Sequence, residues 1–241
     1  MTAPSLTPVR LEQLRRFSTC LIASAIERFQ VRLPNTGFSD SSIRCVFDDL
    51  PPVVGYAATA RIRTSDPPME GGGYLYDRAD WWKDVLTVPA PRIVVIQDVD
   101  SRPGLGALIG EVHANILQAL GCVGVVTNGA VRDVNAVRAS GFQMLAGNIS
   151  VSHAYAHIFD FGGAVEVARM TIRPGDLLQA DRHGVVSIPA EIADQIPPVA
   201  ADLADRRHQI VDLCRSSDFS IEKLHEYFQK NLRGLRPSRS T

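Results

Sequence analysis

Several features that would assign the protein to a special class are missing from this sequence of 241 residues. No stretch approaches the roughly 18 consecutive apolar residues that a membrane-spanning helix requires. The first sixteen residues also lack the apolar centre and the small-residue cleavage site of a secretory signal peptide. These absences predict a cytoplasmic protein with no membrane partner.

Cysteine pairs and an excess of one charge are missing as well. The four cysteines are scattered and form no C-x-x-C pair, so neither a zinc ribbon nor a dithiol redox site is indicated. Cys122 begins an apolar segment and is predicted to be buried and inert. Lysine and arginine number 25 against 26 aspartates and glutamates, a balance that argues against binding nucleic acid through overall basicity. We therefore expect no direct nucleic-acid partner.

The composition is that of an ordinary globular protein, with 45% hydrophobic and 21% charged residues. We interpret residues 1–241 as one domain with a core at about residues 53–189. Packing helices are predicted at about residues 11–30 and 190–228, the first because apolar residues recur at three- and four-residue steps. Residues 33–52, rich in proline and small polar residues, are predicted to be mostly loop.

Predicted strands and helices alternate along the middle of the chain. A strand at 53–64 and a helix at 74–86 come first, and short strands joined by tight turns follow over residues 161–189. Between them the predicted order is strand 92–97, helix 106–120, strand 123–127, helix 133–139 and strand 142–146. This alternation predicts an α/β fold built on parallel strands.

The start of one predicted helix indicates an anion site. The first backbone amides of a helix lack partners within the helix, and they lie at the positive end of its dipole. A carboxylate or a phosphate fits such a terminus. The residues concerned are Gly110, Glu111, Val112 and His113. The alternative is that the nearby glycines only permit close packing.

Arg132 and Asp133 follow an apolar strand, where ligands of parallel sheets gather. A right-handed crossover places this strand end beside the start of the preceding helix. Asp133 suits a hard divalent cation that keeps most of its water, and Arg132 suits a carboxylate or another oxyanion. The alternative is that Asp133 only caps the next helix and pairs with Arg132.

Other polar residues have both structural and functional interpretations. His153 and His157 would share one face of a helix, a spacing compatible with metal binding, but structural or pocket-lining roles are preferred. Asp98 and Asp100 follow a strand and either assist at the same sheet edge or, as preferred, solvate the loop. Residues 181–184 are predicted to form a hairpin turn, because Asp and Gly suit its backbone.

Gly110-Glu111, twenty intervening residues and then Arg132-Asp133 resemble the signature of a known family. It is the family of ribonuclease activity regulator A (RraA), which also contains class II 4-hydroxy-4-methyl-2-oxoglutarate aldolases and is often labelled demethylmenaquinone methyltransferase. The likeness includes GYAATA at 55–60 and IRPGD at 172–176. It implies a layered β/β/α fold of the swivelling-domain type, with N- and C-terminal packing helices.

The resemblance also implies a reaction. Asp133 is implied to bind Mg²⁺ or Mn²⁺, Arg132 to contact a keto acid, and Glu111 to order a metal-bound water. The amides from Gly110 to His113 are implied to hold the substrate carboxylate. The implied enzyme cleaves a short dicarboxylic 2-oxo acid through a metal-stabilised enolate and releases pyruvate, as a 4-hydroxy-4-methyl-2-oxoglutarate aldolase or an oxaloacetate decarboxylase does.

The sequence departs from the family pattern at two places. The enzymes often carry another acid soon after Arg-Asp, where this chain has Val134, Asn135 and Ala136. They also tend to receive a glutamate from a neighbouring subunit, where this chain reads ADRRHQI at 204–210. The resemblance implies a homotrimer or a hexamer. Two rival functions stay open, a non-enzymatic regulator that inhibits an RNA-degrading endonuclease and an aldolase that acts on a different keto acid.

Overall fold

Segments rich in valine, isoleucine and alanine form the strands at the centre of the fold, because such residues pack well on a pleated surface. The computed structural model describes residues 5–68 and 78–232 of the chain. Its strands are β1 (Arg44–Cys45), β2 (Val53–Arg63), β3 (Arg92–Asp98), β4 (Ala107–Ile109), β5 (Cys122–Val131), β6 (Gln143–Ile149), β7 (His157–Phe161), β8 (Val165–Val167), β9 (Met170–Ile172), β10 (Leu177–Asp181) and β11 (Gly184–Ile188).

Most of the helices pack against this central sheet, and several of them come from the two ends of the chain. They are α1 (Pro8–Arg15), α2 (Thr19–Glu27), α3 (Ala79–Thr87), α4 (Glu111–Ala119), α5 (Val134–Ser140), α6 (Ile196–Arg215) and α7 (Ile221–Leu232), with a 3₁₀ turn at Ala193–Gln195. Within the described residues, none of these helices is both long enough and apolar enough to span a bilayer.

One mixed sheet of nine strands has the order β1-β6-β5-β3-β2-β10-β11, while β4 pairs with β5 and β7 pairs with β2. Strands β2, β3, β5 and β6 are parallel neighbours, so their carboxyl ends lie along the same edge of the sheet. The chain crosses from β3 to β5 through β4 and α4, and from β5 to β6 through α5. These two crossovers position the candidate site.

Two apolar layers cover the parallel strands. On β3, Val94 and Ile96 belong to the core on the side of α2 and α4, whereas Ile93 and Val95 belong to a second core that includes the β8–β9 hairpin. This division follows from the two-residue repeat of side chains along a strand. Helices therefore cover one face and strands the other, which confirms the predicted layered β/β/α fold with terminal packing helices.

A buried aspartate ties the first helices to the sheet. Asp181 joins β10 to β11, and its pairing with Gly184 confirms the predicted hairpin turn. Its carboxylate accepts the Thr19 amide at 2.9 Å and the Thr19 hydroxyl at 2.7 Å, at the start of α2. Burial alone would raise the pKa of Asp181, but hydrogen bonds from Thr19 and His183 outweigh it and lower that pKa below its ordinary value.

The structure shows that two helix predictions were wrong. The stretch 106–120, predicted as one helix, contains β4, then Gly110, then α4, because Ala107 and Ile109 pair with β5. The helix predicted at about residues 11–30 is two helices. They separate at Ser18, whose backbone is extended and whose Oγ accepts the amide of Leu21 at 3.3 Å and so caps α2.

Two other predictions have mixed outcomes. The helix predicted at 74–86 lies partly outside the described residues, and its described part, 78–86, matches α3 except for Arg78, which is the N-cap. The segment that contains His153 and His157 is not helical, since His157 begins β7 and residues 150–156 form turns and extended loop. The loop predicted at 33–52 is confirmed except for the two-residue edge strand β1.

Candidate active site

Helix α4 begins directly after a very short strand. Gly110 takes the N-cap position with extended backbone, and the Ala114 amide donates to its carbonyl at 2.9 Å. A glycine cap has no side chain with which to satisfy the first amides of the helix. Those amides therefore depend on groups from another part of the chain.

Only glycine fits at this cap. A Cβ atom at Gly110 would stand 2.4 Å from Oδ2 of Asp133 and 2.8 Å from Cγ of Arg132. Contacts this short require the neighbouring side chains to move. Gly110 thus lets the Arg132-Asp133 pair lie against the start of α4.

The end of β5 places this pair. The Arg132 amide donates to the Ile109 carbonyl at 2.9 Å, which joins the ends of β4 and β5. Asp133 then adopts left-handed backbone angles, with φ 54° and ψ 39°, a conformation that aspartate tolerates better than most residues. This sharp turn redirects the chain from the strand into α5.

The Asp133 side chain forms its backbone hydrogen bond with α4 rather than with α5, the helix that it precedes. Asp133 occupies the N-cap position of α5 but makes no capping hydrogen bond there. Its Oδ2 atom instead accepts the Glu111 amide at 3.1 Å. The structural alternative is therefore wrong for capping of the next helix, whereas its other part, the ion pair between Asp133 and Arg132, is present. The contact also engages one of the amides that the resemblance assigned to the substrate carboxylate.

The surroundings of Asp133 favour its charged form. The hydrogen bond from the Glu111 amide lowers the pKa of Asp133 most, burial opposes it, and the hydrogen bond and charge of Arg132 add to the lowering, as does the charge of His153. Nε of Arg132 lies 3.3 Å from Oδ1 of Asp133. Because the two side chains remain 28% and 36% exposed, this carboxylate and guanidinium are accessible to a small ligand.

The other predicted site residues differ in exposure. Glu111 and Val112 are exposed at the first turn of α4. The His113 side chain is 2% exposed and lies inside the protein, so its predicted contact with substrate rests on its backbone amide alone. The structure thus brings Gly110, Glu111, Arg132 and Asp133 together at one sheet edge.

The donor set suits a hard divalent cation. Each oxygen of the Asp133 carboxylate accepts one hydrogen bond in the structure, which leaves lone pairs for a further ligand. Magnesium needs few protein carboxylates because it keeps several waters. Among the residues that the structure describes, no three His, Cys, Asp or Glu side chains form a metal-binding group. One carboxylate with lone pairs to spare fits a cation that keeps most of its water.

Sequence reasoning misjudged Asp98. The side chain was expected to solvate its loop, but it is 2% exposed, and its carboxylate accepts the amides of Asp100 at 3.1 Å and Gly104 at 2.8 Å. Asn128 holds the Asp98 backbone through two hydrogen bonds of 2.7 and 2.9 Å. Asp98 thereby shapes the loop that leads into β4. The signal in the sequence that could have indicated this role is the position of an aspartate at the end of a buried strand.

The two histidines confirm the preferred structural interpretation. Nδ1 of His153 lies 2.7 Å from the Ala107 carbonyl, and Nδ1 of His157 lies 2.7 Å from the Tyr155 carbonyl. They share no helical face. Of the two histidines, only His153 influences the pKa of Asp133. The sequence did not indicate that His153 and Asp133 lie near each other.

The amino-acid sequence matches the sequence model of a known protein family. The sequence model of the family described as RraA-like, Aldolase/RraA, matches residues 19–187, well over half of the chain. The chain belongs to the RraA-like family. This family includes class II aldolases and RNase E inhibitors, and its aldolases use divalent metals.

Individual RraA-like relatives are distant. The chain is 31% identical over 84 residues to a protein of Halalkalibacterium halodurans named putative 4-hydroxy-4-methyl-2-oxoglutarate aldolase. The match covers 34% of this chain and only 40% of that relative.

Two solved structures share the fold at low sequence identity. An uncharacterized protein from Pseudomonas syringae pv. tomato str. DC3000 is 17% identical, with a TM-score of 0.72 over 94% of this chain and 97% of that one. Streptomyces coelicolor RraAS2, described as an unusual member of the RNase ES inhibitor RraA protein family, is 21% identical, with a TM-score of 0.66 over 85% and 96% of the two chains. Both likenesses support the RraA-like fold alone.

Proposed function

We propose that this RraA-like protein is a divalent-metal-dependent carbon–carbon lyase that releases pyruvate from a short dicarboxylic 2-oxo acid. The proposed activities are cleavage of 4-hydroxy-4-methyl-2-oxoglutarate and decarboxylation of oxaloacetate. Both reactions leave negative charge on the keto oxygen of a three-carbon fragment. Preorganised positive charge at that position is the contribution expected of the protein.

One observation carries the proposal: the charged, accessible carboxylate of Asp133 lies against the start of α4 with the Arg132 guanidinium beside it. A purely structural ion pair does not require a glycine at residue 110 or a left-handed aspartate. Both features are present, and both direct the carboxylate toward the helix start. Backbone of this kind is commonly retained at functional sites.

The charged residues of the site have separate proposed roles. Asp133 would hold Mg²⁺ or Mn²⁺, and Glu111, exposed at the start of α4, would order water beside it. When bound, the cation supplies positive charge that offsets the charge developing on the keto oxygen. Arg132 binds and orients the 2-oxo acid through its planar guanidinium. Apart from the Glu111 amide, which Asp133 engages, the first turn of α4 would offer amides and the positive end of a helix dipole to a substrate carboxylate.

We also propose a homotrimer or hexamer in which the site lies near a subunit contact. Large aliphatic side chains are exposed on the segments around it: Leu105 (57%), Val112 (53%), Ile149 (58%) and Val151 (96%). Exposed apolar residues grouped in this way favour a protein interface. Sedimentation velocity at micromolar concentration should show an assembly of three or six chains, and a monomer would refute this part of the proposal.

Pyruvate release tests the function. The purified protein should release pyruvate from oxaloacetate and from 4-hydroxy-4-methyl-2-oxoglutarate when Mg²⁺ or Mn²⁺ is added, at rates above spontaneous decay. Excess chelator should abolish the release. If neither substrate yields pyruvate with either metal, a different keto acid or the regulatory role becomes the better interpretation.

A further inference from the structure

A cavity of about 860 Å³ opens at the end of the sheet where β3 begins. Tyr56 of β2 lines it and pairs with Arg92, the first residue of β3. The candidate active site lies instead at the carboxyl end of β5, a parallel neighbour of β3. Strand β3 has seven residues, and a strand rises about 3.3 Å per residue, so the two places are roughly 20 Å apart. The cavity is therefore separate from the candidate active site.

Apolar side chains of the main core line this cavity. Val88, Leu177, Ile188 and Ala193 all belong to that core, and none of them is more than 6% exposed. The volume falls within the range of about 300 to 1,000 Å³ that is typical of small-molecule pockets, which are also mostly apolar. The lining therefore suits the apolar body of a small ligand.

Two stretches that lie outside the candidate active site meet at the cavity, GYAATA at 55–60 and IRPGD at 172–176. The Ala57 amide donates to the Asp176 carbonyl, and the Gly175 amide donates to the Ala57 carbonyl, both at 2.9 Å. These backbone bonds hold the turn before β10 against the edge of β2. The wall of the cavity is thus formed before any ligand binds, which lowers the entropic cost of binding.

The charged side chains that line the cavity are both acidic. They are Asp176 and Glu191, and no lysine, arginine or histidine of the described residues joins them in the lining. Oδ2 of Asp176 accepts the Arg173 amide at 2.8 Å, whereas Oδ1 accepts no hydrogen bond from the described part of the chain. Neither carboxylate forms an ion pair with a described residue. Two carboxylates beside an apolar surface favour a ligand that carries positive charge.

Tyr56 adds a polar atom to the apolar lining. The residue is 7% exposed, and its hydroxyl oxygen accepts the Leu6 amide at 2.6 Å. The hydroxyl proton has no acceptor among the residues that the structure describes. A phenolic hydroxyl both accepts and donates, so this one can still donate to an oxygen atom of a ligand in the cavity.

We propose that this cavity binds a small organic cation, a protonated amine on an apolar body that also carries an oxygen atom. Asp176 and Glu191 attract the ammonium group, because each offers a carboxylate that no protein cation neutralises. The core side chains cover the apolar body, and the Tyr56 hydroxyl donates to the oxygen. The inference is independent of the proposed lyase function, since none of these residues belongs to the candidate active site.

Three compounds that share a phenol ring and differ in charge provide the test. Tyramine is a cation, 4-(2-hydroxyethyl)phenol is neutral, and 4-hydroxyphenylacetate is an anion at pH 7. Isothermal titration calorimetry with the full chain at low ionic strength measures their dissociation constants. We expect tyramine to bind about tenfold more tightly than the neutral compound, the effect of about one charge-assisted hydrogen bond. The anion should bind most weakly.

Variants locate the binding. Combining Asp176→Asn with Glu191→Gln removes both charges, while asparagine can still accept the Arg173 amide, and the affinity for tyramine should fall about tenfold. Ala190→Trp places a large ring on an exposed residue of the lining and should abolish binding by filling the cavity. Asp212→Asn is the matched control, because this exposed acid of α6 is not part of the lining. It should bind tyramine with the wild-type affinity.

Several results would overturn the inference. They are equal affinities for tyramine and the neutral compound, tighter binding of the anion, no binding of any of the three compounds, or unchanged tyramine binding in either cavity variant. Pyruvate release does not enter this test. Failure of the lyase assay with intact tyramine binding would refute the proposed function alone.

Discussion

Asp133, at the end of strand β5, accepts the backbone amide of Glu111, at the start of helix α4, over a distance of 3.1 Å. Twenty-one residues of chain separate the two positions in the sequence. The bond makes one carboxylate both the partner of a helix terminus and the anionic centre of a site that also contains Arg132. Changes at this junction should therefore affect the proposed lyase activity more than they affect folding.

Replacing Gly110 by alanine should displace the Asp133 carboxylate, since the added Cβ would lie 2.4 Å from its Oδ2 atom. Misplacement of a catalytic group by about 1 Å commonly costs up to 100-fold in rate, so we expect a 10- to 100-fold loss of kcat/KM for pyruvate release. Gly163→Ala is the matched control, because a Cβ there meets nothing within 4 Å. Equal rates in the two variants would contradict the close fit at Gly110.

Arg132→Lys should impair substrate binding although it preserves the charge. Lysine lacks the planar fork that can hold a carboxylate at two points, and it loses the Nε contact with Asp133 at 3.3 Å. We expect a rise in KM for oxaloacetate of about tenfold, equivalent to about 1.4 kcal/mol of binding free energy. Steady-state kinetics measures this change. An unaltered KM and kcat would show that Arg132 does not contact the substrate.

Asp181→Asn should lower the free energy of unfolding at neutral pH. The carboxylate accepts three hydrogen bonds of 2.7 to 2.9 Å from Thr19 and His183, and weakening such charge-assisted bonds costs about 2–3 kcal/mol. Because the pKa of Asp181 is lower in the folded protein than in the unfolded chain, its stabilisation is complete above the unfolded pKa. It is lost as the pH falls through the folded pKa.

Urea unfolding at a series of pH values measures this effect. The difference between wild type and Asp181→Asn should be largest at neutral pH and should shrink below about pH 4, the ordinary range of an aspartate. Asp194→Asn is the control, since Asp194 pairs with Arg10 at 2.8 Å while its side chain is 65% exposed. That variant should change the stability by no more than about 1 kcal/mol. A pH-independent difference for Asp181→Asn would contradict the account.

Much of the site was predictable because it follows from chain order. Alternating strands and helices place the end of β5 beside the start of α4, and the Gly110-Glu111 and Arg132-Asp133 pairs lie at those two points. What the sequence did not predict is β4. Its three residues are all apolar and cannot show the two-residue repeat of a strand, so they merged with the helical pattern that follows.

The direction of the Asp133 side chain was equally hidden. An aspartate before a helix normally caps that helix, and only the left-handed backbone at Asp133 turns its carboxylate toward α4 instead. The approach of His153 to this site depends on a backbone contact between a loop and β4, which leaves no periodic signal. Tertiary contacts, rather than local preferences, decide both features.

The central claim is that the Asp133 carboxylate makes this protein a metal-dependent lyase. Asp133→Asn is the most direct test, because asparagine tolerates the left-handed backbone and can still accept the Glu111 amide but removes the charge. We would measure metal-stimulated pyruvate release from oxaloacetate, with Mg²⁺, with Mn²⁺ and with chelator, alongside Mn²⁺ binding by electron paramagnetic resonance. The account predicts that wild type binds Mn²⁺ and releases pyruvate, and that the folded variant does neither. A variant that retains metal-dependent release at the wild-type rate would contradict it.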